Sequence, residues 1–170
     1  MQQLKIQTLT PEGFQKYGEY QNLLDDASLA KKSVIPAGFY ADVLYMDWGG
    51  HTPPTISVCP ANQEEKMIIS FIEAHRYTHE GLLPLDGDVV IYVGVPGMEG
   101  IESETAAGME CFMVPRGTYV KLYPQIRHGR QFSLEDKPVH VLCQLPARTF
   151  ANDMIFTMIK DPQNQGEIIR

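Results

Sequence analysis

Short runs of apolar residues dominate the chain from residue 37 onward, and turn-forming residues separate them. Each run is rich in Val, Ile, Tyr and Phe and is bounded by Gly, Pro, Asn or Asp, which is typical of β-strands. The runs are FYADVLYMDW, TISVCP, KMIISFIEAH, DVVIYVGV, ECFMVP, TYVKLY and PVHVLCQL. Their fairly regular spacing predicts one all-β, mainly antiparallel domain over residues 1–170, built as a sandwich or a barrel.

The first part of the chain carries helical signals as well. After the alternating segment LKIQTL, which predicts a short strand, Thr10 is a good amino-terminal cap and Pro11 suits the first helical position. These residues predict a short helix over about 11–17, which Gly18 can end. Residues 21–36 fit either a second helix or a loop, so we expect one or two short helices in all.

Three further segments have less regular patterns. GMEGIESETAAG, residues 97–108, is predicted to form an exposed acidic loop, and His51 is predicted to lie in another loop. Near the carboxyl end MIFTMIKD fits a strand, whereas PQNQGEIIR is predicted to be a weakly held tail.

Composition and charge exclude several classes of function. The formal net charge is -7 and the basic residues are dispersed, so we expect no nucleic-acid partner. No apolar run approaches the ~18 residues needed to span a bilayer, and the amino terminus lacks the features of a signal peptide. Cys59, Cys111 and Cys143 are far apart and form no CxxC pair. We therefore expect a reduced, soluble, cytoplasmic protein without a membrane partner.

The stretch EAHRYTHEGLLPLDG concentrates the candidate chemistry. Glu73 and His75 lie two residues apart and continue the apolar face of MIISFIEAH, so both side chains can point to one spot inside a barrel. The alternative is that the strand has already reached the rim, where both are solvated. Glu80 and Gly87 follow with the spacing Glu-x-His-x4-Glu-x6-Gly, which resembles the first cupin motif, His-x-His-x3-4-Glu-x6-Gly. This resemblance implies an inward-facing site, with the glycine at the tight turn into the next strand.

The second cupin motif is matched in part. MVPRGTYVKLYPQIRHG supplies Pro115, Gly117 and His128, although the cupin histidine usually comes a few residues after the glycine. His128 is the only histidine of this segment and is predicted to join the site.

The chain as a whole is similar to the ureidoglycolate lyase family, a cupin-fold group acting late in allantoin breakdown. The matching segments are LKIQTLTPEGFQKYGEY, TISVCPAN, FIEAHRYTHEGLLPLDGDVVIYVGVP and GTYVKLYPQIRHG. They run from about residue 4 to 145, and the stretch from Glu-x-His to Leu-Asp-Gly is the specific part. The chain departs from the family at Glu80, where Gln is usual, and at Arg127, where Trp is usual.

The resemblance implies a cupin-like β-barrel or jelly roll that cleaves a small hydroxy-acid ureide to glyoxylate and urea. The enzyme would be a lyase acting on a C–N bond, in which His75 and His128 divide the base and acid roles and Glu80 supports them. One divalent metal ion, held by Glu73, His75, Glu80 and His128, would polarise the hydroxyl oxygen of the substrate.

Other functions remain open from the sequence. Glu80 restores the metal-binding pattern, which favours a metal-dependent cupin that acts on a sugar or sugar acid, such as an isomerase. A non-catalytic cupin that binds a small ligand fits the same fold. In each case the expected partners are a small molecule and a second copy of the chain, because open strand edges invite pairing into a homodimer.

Two further residues are candidates for substrate binding. Lys121 and Tyr123 share one face of the strand TYVKLY. If that face points inward, the two side chains can bind a carboxylate or a carbonyl oxygen of the substrate. The alternative is a solvated strand face.

Overall fold

Short β-strands make up most of the regular structure. The computed structural model describes residues 1–35, 38–49, 52–97 and 100–170, so His51 lies outside the described residues. The strands within these ranges are β1 (Gln2–Thr8), β2 (Gly18–Asn22), β3 (Pro54–Ala61), β4 (Met67–Ile69), β5 (Phe71–His75), β6 (Glu80–Pro84), β7 (Val89–Val93), β8 (Glu110–Val114), β9 (Thr118–Leu122), β10 (Phe132–Ser133), β11 (Val139–Pro146), β12 (Met154–Met158) and β13 (Gly166–Ile169). The helices are α1 (Pro11–Phe14), α2 (Asp26–Lys32) and α3 (Thr149–Asn152), with a 3-10 turn at Pro162–Asn164.

The strands assemble into two large sheets and one small one. The first has the order β10-β7-β8-β1-β13-β4, the second β2-β9-β6-β11-β3, and β12 pairs with β5 in a two-stranded sheet. Pairing is antiparallel except where β1 lies parallel to β8 and to β13. The prediction of an all-β, mainly antiparallel fold is confirmed, and the described residues form three short helices rather than one or two.

Strand β7 lies at the centre of the hydrophobic core, which explains its continuous apolar run. Val89, Ile91 and Val93 point into a cluster shared with β6, β9 and β11 of the second sheet. Val90 and Tyr92 point the other way, into a second cluster formed with β4, β13 and neighbouring segments. Because both faces are covered, all five residues of the strand are buried.

Helix α1 is shorter than predicted. Thr10 caps it as expected, accepting a hydrogen bond from the backbone N–H of Gly13 at 3.1 Å, but the helix ends at Phe14 instead of residue 17. Gly18 does not end the helix; it begins β2, directly beside β9. A Cβ at Gly18 would overlap the backbone carbonyl oxygen of Lys121, so the glycine is required by close strand contact.

We expect Gly18→Ala to lower the free energy of unfolding by about 3 kcal/mol, at the upper end for overpacked sites, because backbone atoms cannot move aside. Urea unfolding would measure the change. Gly97→Ala is the matched control, since a Cβ there meets no atom within 4 Å, and it should change stability by less than about 0.5 kcal/mol. Equal stability of the two variants would contradict the close-contact explanation.

The structure shows the conformation of two segments: residues 21–36, which fit either a helix or a loop, and the carboxyl-terminal segment, which was predicted to be a weakly held tail. Within residues 21–36, α2 forms and Asp25 caps it by accepting from the N–H of Ser28 at 3.1 Å. The prediction of a weakly held tail is wrong, because β13 pairs with both β1 and β4 and Ile168 is only 3% exposed.

Among the described residues, no helix has the length and apolar character needed to cross a bilayer.

The acidic loop at 97–108 is exposed in part but firmly anchored. Residues 98–99 lie outside the described residues. In the remainder, the buried guanidinium of Arg127 donates from Nη2 to the carbonyl oxygens of Ser103 (3.1 Å) and Thr105. Arg127, which stands where the ureidoglycolate lyase family usually has Trp, therefore holds this loop against the barrel.

Gly87 is required by packing rather than by a left-handed turn. Its φ is outside the positive range, and a Cβ there would lie 2.6 Å from Cγ2 of Val139 and 2.7 Å from Cγ of Glu135. The prediction of a conformationally demanding turn at this glycine is therefore replaced by a steric requirement.

Strand β3 forms one edge of the second sheet. Its inner edge pairs along its whole length with β11; within the described part of the chain no strand pairs with its outer edge. Ile56 and Val58 on this strand are 66% and 53% exposed. A homodimer remains a prediction, and this edge is the place where we expect it to form.

Candidate metal centre

Three segments bring the candidate residues together at one end of the barrel. Glu73 and His75 project from the same face of β5, and Glu80 opens β6, where it lies opposite Leu122 of the hydrophobic core. His128 is placed by backbone pairing with Glu73: each residue donates its N–H to the carbonyl of the other, at 2.7 and 2.9 Å. The late histidine of the second motif thus reaches the site that the first motif predicts.

The turn between β5 and β6 is held by a buried carboxylate. Asp153 Oδ1 accepts from the backbone N–H groups of Arg76 (2.9 Å) and Tyr77 (3.1 Å), and its Oδ2 accepts from the hydroxyl of Thr78 (2.8 Å). Because this turn connects His75 to Glu80, Asp153 fixes the distance between two candidate site residues.

His75, Glu80 and His128 form a compact, buried cluster. Their relative exposures are 3%, 6% and 3%. Nε2 of His128 lies 2.7 Å from Oε2 of Glu80, and Nε2 of His75 lies 3.6 Å from the same oxygen. All three ligating atoms lie within 4.8 Å of one another, which groups them as candidate metal ligands.

The spacing of these atoms fits ligation of a common ion. Oε2 of Glu80 and Nε2 of His128 lie 2.7 Å apart, and within the described residues neither buried atom has another hydrogen-bond partner. For metal–ligand bonds of about 2.1 Å, two neighbouring ligands of an octahedral ion are about 3.0 Å apart. The distances from Oε2 of Glu80 to Nε2 of His128 and of His75, 2.7 and 3.6 Å, lie on either side of that value.

The tautomer of His128 also suits a ligand. Its Nδ1 lies 2.8 Å from the carbonyl oxygen of Ile126, and because a carbonyl only accepts, Nδ1 carries the hydrogen. Nε2 is then the atom that faces Glu80 and offers its lone pair when the ring is neutral. Histidine ligands of metals commonly show this hydrogen bond from the second ring nitrogen.

Without an ion, His128 and Glu80 form a charged pair. Burial lowers the pKa of His128, but the charge and hydrogen bonding of Glu80, the charge of Glu73 and the carbonyl of Ile126 together outweigh burial and raise the pKa to about 9. Burial raises the pKa of Glu80, but the charges and hydrogen bonding of His128 and His75 together outweigh burial and lower the pKa to about 2. An incoming cation would therefore have to displace a proton from His128.

Glu73 lies at the edge of the cluster. Its Oε1 is 3.9 Å from Nε2 of His128, and its side chain is 21% exposed, against 7% for Glu80. Burial raises the pKa of Glu73 by more than the charge of His128 lowers it. Glu73 thus combines partial access to solvent with a carboxyl group that holds a proton more readily than usual.

A cavity of about 420 Å³ opens over the cluster, and its lining includes Glu73, His75 and Glu80. One wall comes from β5 and β12, whose register places Met154 opposite His75 and Phe156 opposite Glu73. The facing wall comes from β3 and β11, and two thiols line it. Burial raises the pKa of Cys59 and of Cys143, so both thiols stay protonated and act as apolar surface.

The structure does not bring Lys121 and Tyr123 to this cavity. Lys121 in β9 and Tyr123, which directly follows the strand, lie instead beside Glu19: Nζ of Lys121 contacts Oε1 of Glu19 at 2.6 Å and donates to the carbonyl of Tyr45 at 3.1 Å. The hydroxyl of Tyr123 donates to the same Glu19 oxygen at 3.2 Å. The opposite face of β9, with Val120 and Leu122, points into the core.

Sequence reasoning missed other residues that line the cavity. Arg130 lies two residues after His128, so strand alternation gave a signal that it shares a side with the histidine. It makes a two-pronged ion pair with Glu64, at 2.6 and 3.0 Å. Gln131 is 6% exposed and also lines the cavity. Phe156 had no such signal, because its place opposite Glu73 depends on the pairing of β12 with β5.

Comparison with known proteins gives only distant structural likeness. No protein-family model and no curated protein matches the chain. The structure is similar to a 3,4-ketoisomerase from Thermoanaerobacterium thermosaccharolyticum solved with TDP-4-keto-6-deoxyglucose, with 14% identity and a TM-score of 0.42 over 59% of this chain and 64% of that chain. It is also similar to a dTDP sugar isomerase from Desulfovibrio desulfuricans G20, with 12% identity and a TM-score of 0.49 over 71% of this chain and 75% of that one.

A third match is a dTDP-4-dehydrorhamnose 3,5-epimerase from Elizabethkingia anophelis. The identity is 9% and the TM-score 0.35, over 68% of this chain and 55% of the epimerase. The chain thus spans less than two thirds of the length of the ketoisomerase and of the epimerase. Such identities and TM-scores are too low to assign a substrate or an activity to this chain.

Proposed function

We propose that the protein is a metal-dependent cupin enzyme of the isomerase type, which moves a proton between neighbouring carbons of a small hydroxy-carbonyl compound. The observation that carries the proposal is the buried cluster of His75, Glu80 and His128, whose ligating atoms lie within 4.8 Å of one another. Two histidine nitrogens and one carboxylate oxygen are a donor set that suits Zn²⁺, Mn²⁺ or Fe²⁺.

The three ligands and the fourth residue have separate tasks in this proposal. His75, Glu80 and His128 would hold the ion, and its charge would polarise a carbonyl or hydroxyl oxygen of the substrate and make the adjacent C–H more acidic. Glu73 acts as general base and acid, taking the proton from one carbon and returning it to the next. Its carboxylate lines the cavity and lies 3.9 Å from Nε2 of His128, so it can reach a substrate held beside the ion.

The cavity supports catalysis rather than ligand storage alone. His75 and Glu80 line the cavity, and burial excludes bulk water from these two residues and from His128. Glu73 lines the same cavity and remains partly exposed, so it can reach a molecule bound there. Cleavage of a C–N bond in a ureide stays a prediction, since no contact of the described residues favours it over proton transfer.

The test combines metal analysis with hydrogen exchange. We expect the purified protein to bind one divalent ion per chain, and His75→Ala to lose it. In D₂O the metal-loaded protein should exchange the C–H beside the carbonyl of hydroxyacetone or glyceraldehyde, which NMR would detect. Glu73→Gln should keep the ion and lose the exchange. Urea release from ureidoglycolate without C–H exchange would overturn the isomerase proposal, and a protein that binds no divalent ion would overturn its metal dependence.

A further inference from the structure

We infer that the substrate of this site carries an apolar group, aromatic or branched aliphatic, on the side of the molecule away from the metal cluster. The inference rests on the proposed function and adds a substrate class to it. It follows from the contrast between the charged end of the cavity and its walls.

The walls of the cavity are aromatic and aliphatic. Phe71 and Phe156 lie together with ring centroids 5.1 Å apart, in the wall above Glu73. Val58, Leu145, Phe150 and Met154 add to the apolar surface of the lining. Phe150 and Phe156 are 67% and 50% exposed, and exposed aromatic rings gathered at one opening mark a binding surface. An aromatic ligand gains both buried apolar area and ring–ring contact there.

The polar groups of the walls are too few for a bare sugar. Beyond the cluster and Glu73, the polar side chains among the described lining residues are Ser57, Arg130 and Gln131. Both terminal nitrogens of Arg130 are already held by Glu64, which leaves Nε of Arg130 and Oε1 of Gln131 as the buried polar wall atoms without a hydrogen-bond partner among the described residues. Each buried hydroxyl of a sugar needs a hydrogen-bond partner, and the binding energy falls when one is missing. An apolar group meets no such requirement, and 420 Å³ lies in the range for small-ligand pockets.

The tail of the ligand can be tested with probes that share one head. Glycolate, tartrate and 3-phenyllactate carry the same α-hydroxy carboxylate and differ in the tail. Calorimetry on the Mn²⁺-loaded protein should show 3-phenyllactate binding roughly 10–100-fold more tightly than glycolate, the gain expected from burying a phenyl ring. Tartrate should bind no more tightly than glycolate. Tartrate binding as tight as 3-phenyllactate, or binding of none of the three, would overturn the inference.

Matched variants locate the effect in the wall. Phe156→Ser should lower the ratio of 3-phenyllactate to glycolate affinity by about tenfold, while the metal content stays unchanged. Phe150→Ser should do the same to a smaller extent and changes a more exposed residue, so it guards against a folding defect. Phe39→Ser is the control, because Phe39 is also 67% exposed but does not line the cavity. An equal fall of this affinity ratio in the Phe39→Ser variant would show that the cavity wall does not cause the effect.

Binding to the apolar wall can be tested separately from binding to the metal. Benzyl alcohol lacks the chelating head, and we expect it to shift the NMR signals of the cavity residues in the metal-free protein, whereas glycerol should not. If benzyl alcohol binds but no ion does, the substrate class holds and the metal-dependent function fails. If the ion binds and the protein binds 3-phenyllactate no more tightly than glycolate or tartrate, the proposed function survives and the proposed substrate class is wrong.

Discussion

Replacement of Glu80 by Gln is expected to lower the affinity for a divalent ion by at least about 100-fold, because it removes the one anionic ligand of the cluster. The fold should remain, since Gln has nearly the same shape and His128 can lose its proton when Glu80 no longer holds a charge. The variant therefore avoids the uncompensated buried charge that makes broken ion pairs costly. Titration calorimetry with Zn²⁺ or Mn²⁺ and thermal unfolding without metal would measure the two effects.

Glu73→Gln is the matched comparison, because it makes the same chemical change two residues from His75 on β5. Glu73 lies outside the cluster of three, so we expect its variant to keep the affinity for the ion within roughly tenfold and to lose proton transfer. Equal losses of affinity in the two variants would show that the ion has four protein ligands. Full affinity in Glu80→Gln would contradict the metal site itself.

The fold and the centre of the site were within reach of sequence reasoning for different reasons. The strands are short and regularly bounded, so local pattern identified most of them without knowledge of their partners. The prediction of a strand at FYADVLYMDW is wrong, because residues 39–48 form no strand. His75 and Glu80 belong to one local turn, where spacing along the chain largely determines spacing in space. His128 was reached through the family resemblance, and the structure explains its position through backbone pairing with Glu73.

Other features depend on contacts between distant segments, which the local pattern does not contain. Lys121 and Tyr123 share a face, as alternation requires, but which face points inward is set by the packing of Val120 and Leu122. The carboxyl-terminal segment is too short for an alternation of apolar and polar residues to be recognised. Ile168 nevertheless becomes buried, because β13 lies between β1 and β4. The aromatic wall likewise requires the register of β12 against β5.

The charged pair also makes the metal-free protein and the metal site respond to pH in opposite ways. The pKa of His128 rises from 6.5 to about 9 on folding, so its contribution to stability is complete below pH 6.5 and is lost as the pH rises through 9. The pKa of Glu80 falls from 4.5 to about 2, so its contribution is present above pH 4.5 and is lost as the pH falls through 2. The pair therefore stabilises the metal-free protein most between pH 4.5 and 6.5.

The affinity for the metal, in contrast, should increase as the pH rises above 6.5, because the ion competes with the proton on His128. We expect about one proton to be released per ion at pH 7, and the affinity to rise roughly tenfold per pH unit until the pH reaches the pKa of His128, near 9. Calorimetry in buffers of different ionisation enthalpy counts the protons, and the rise in melting temperature on adding Zn²⁺ should grow from pH 6 to 8. Affinity that stays constant over this range would mean that His128 is already neutral and that its charge does not oppose the ion.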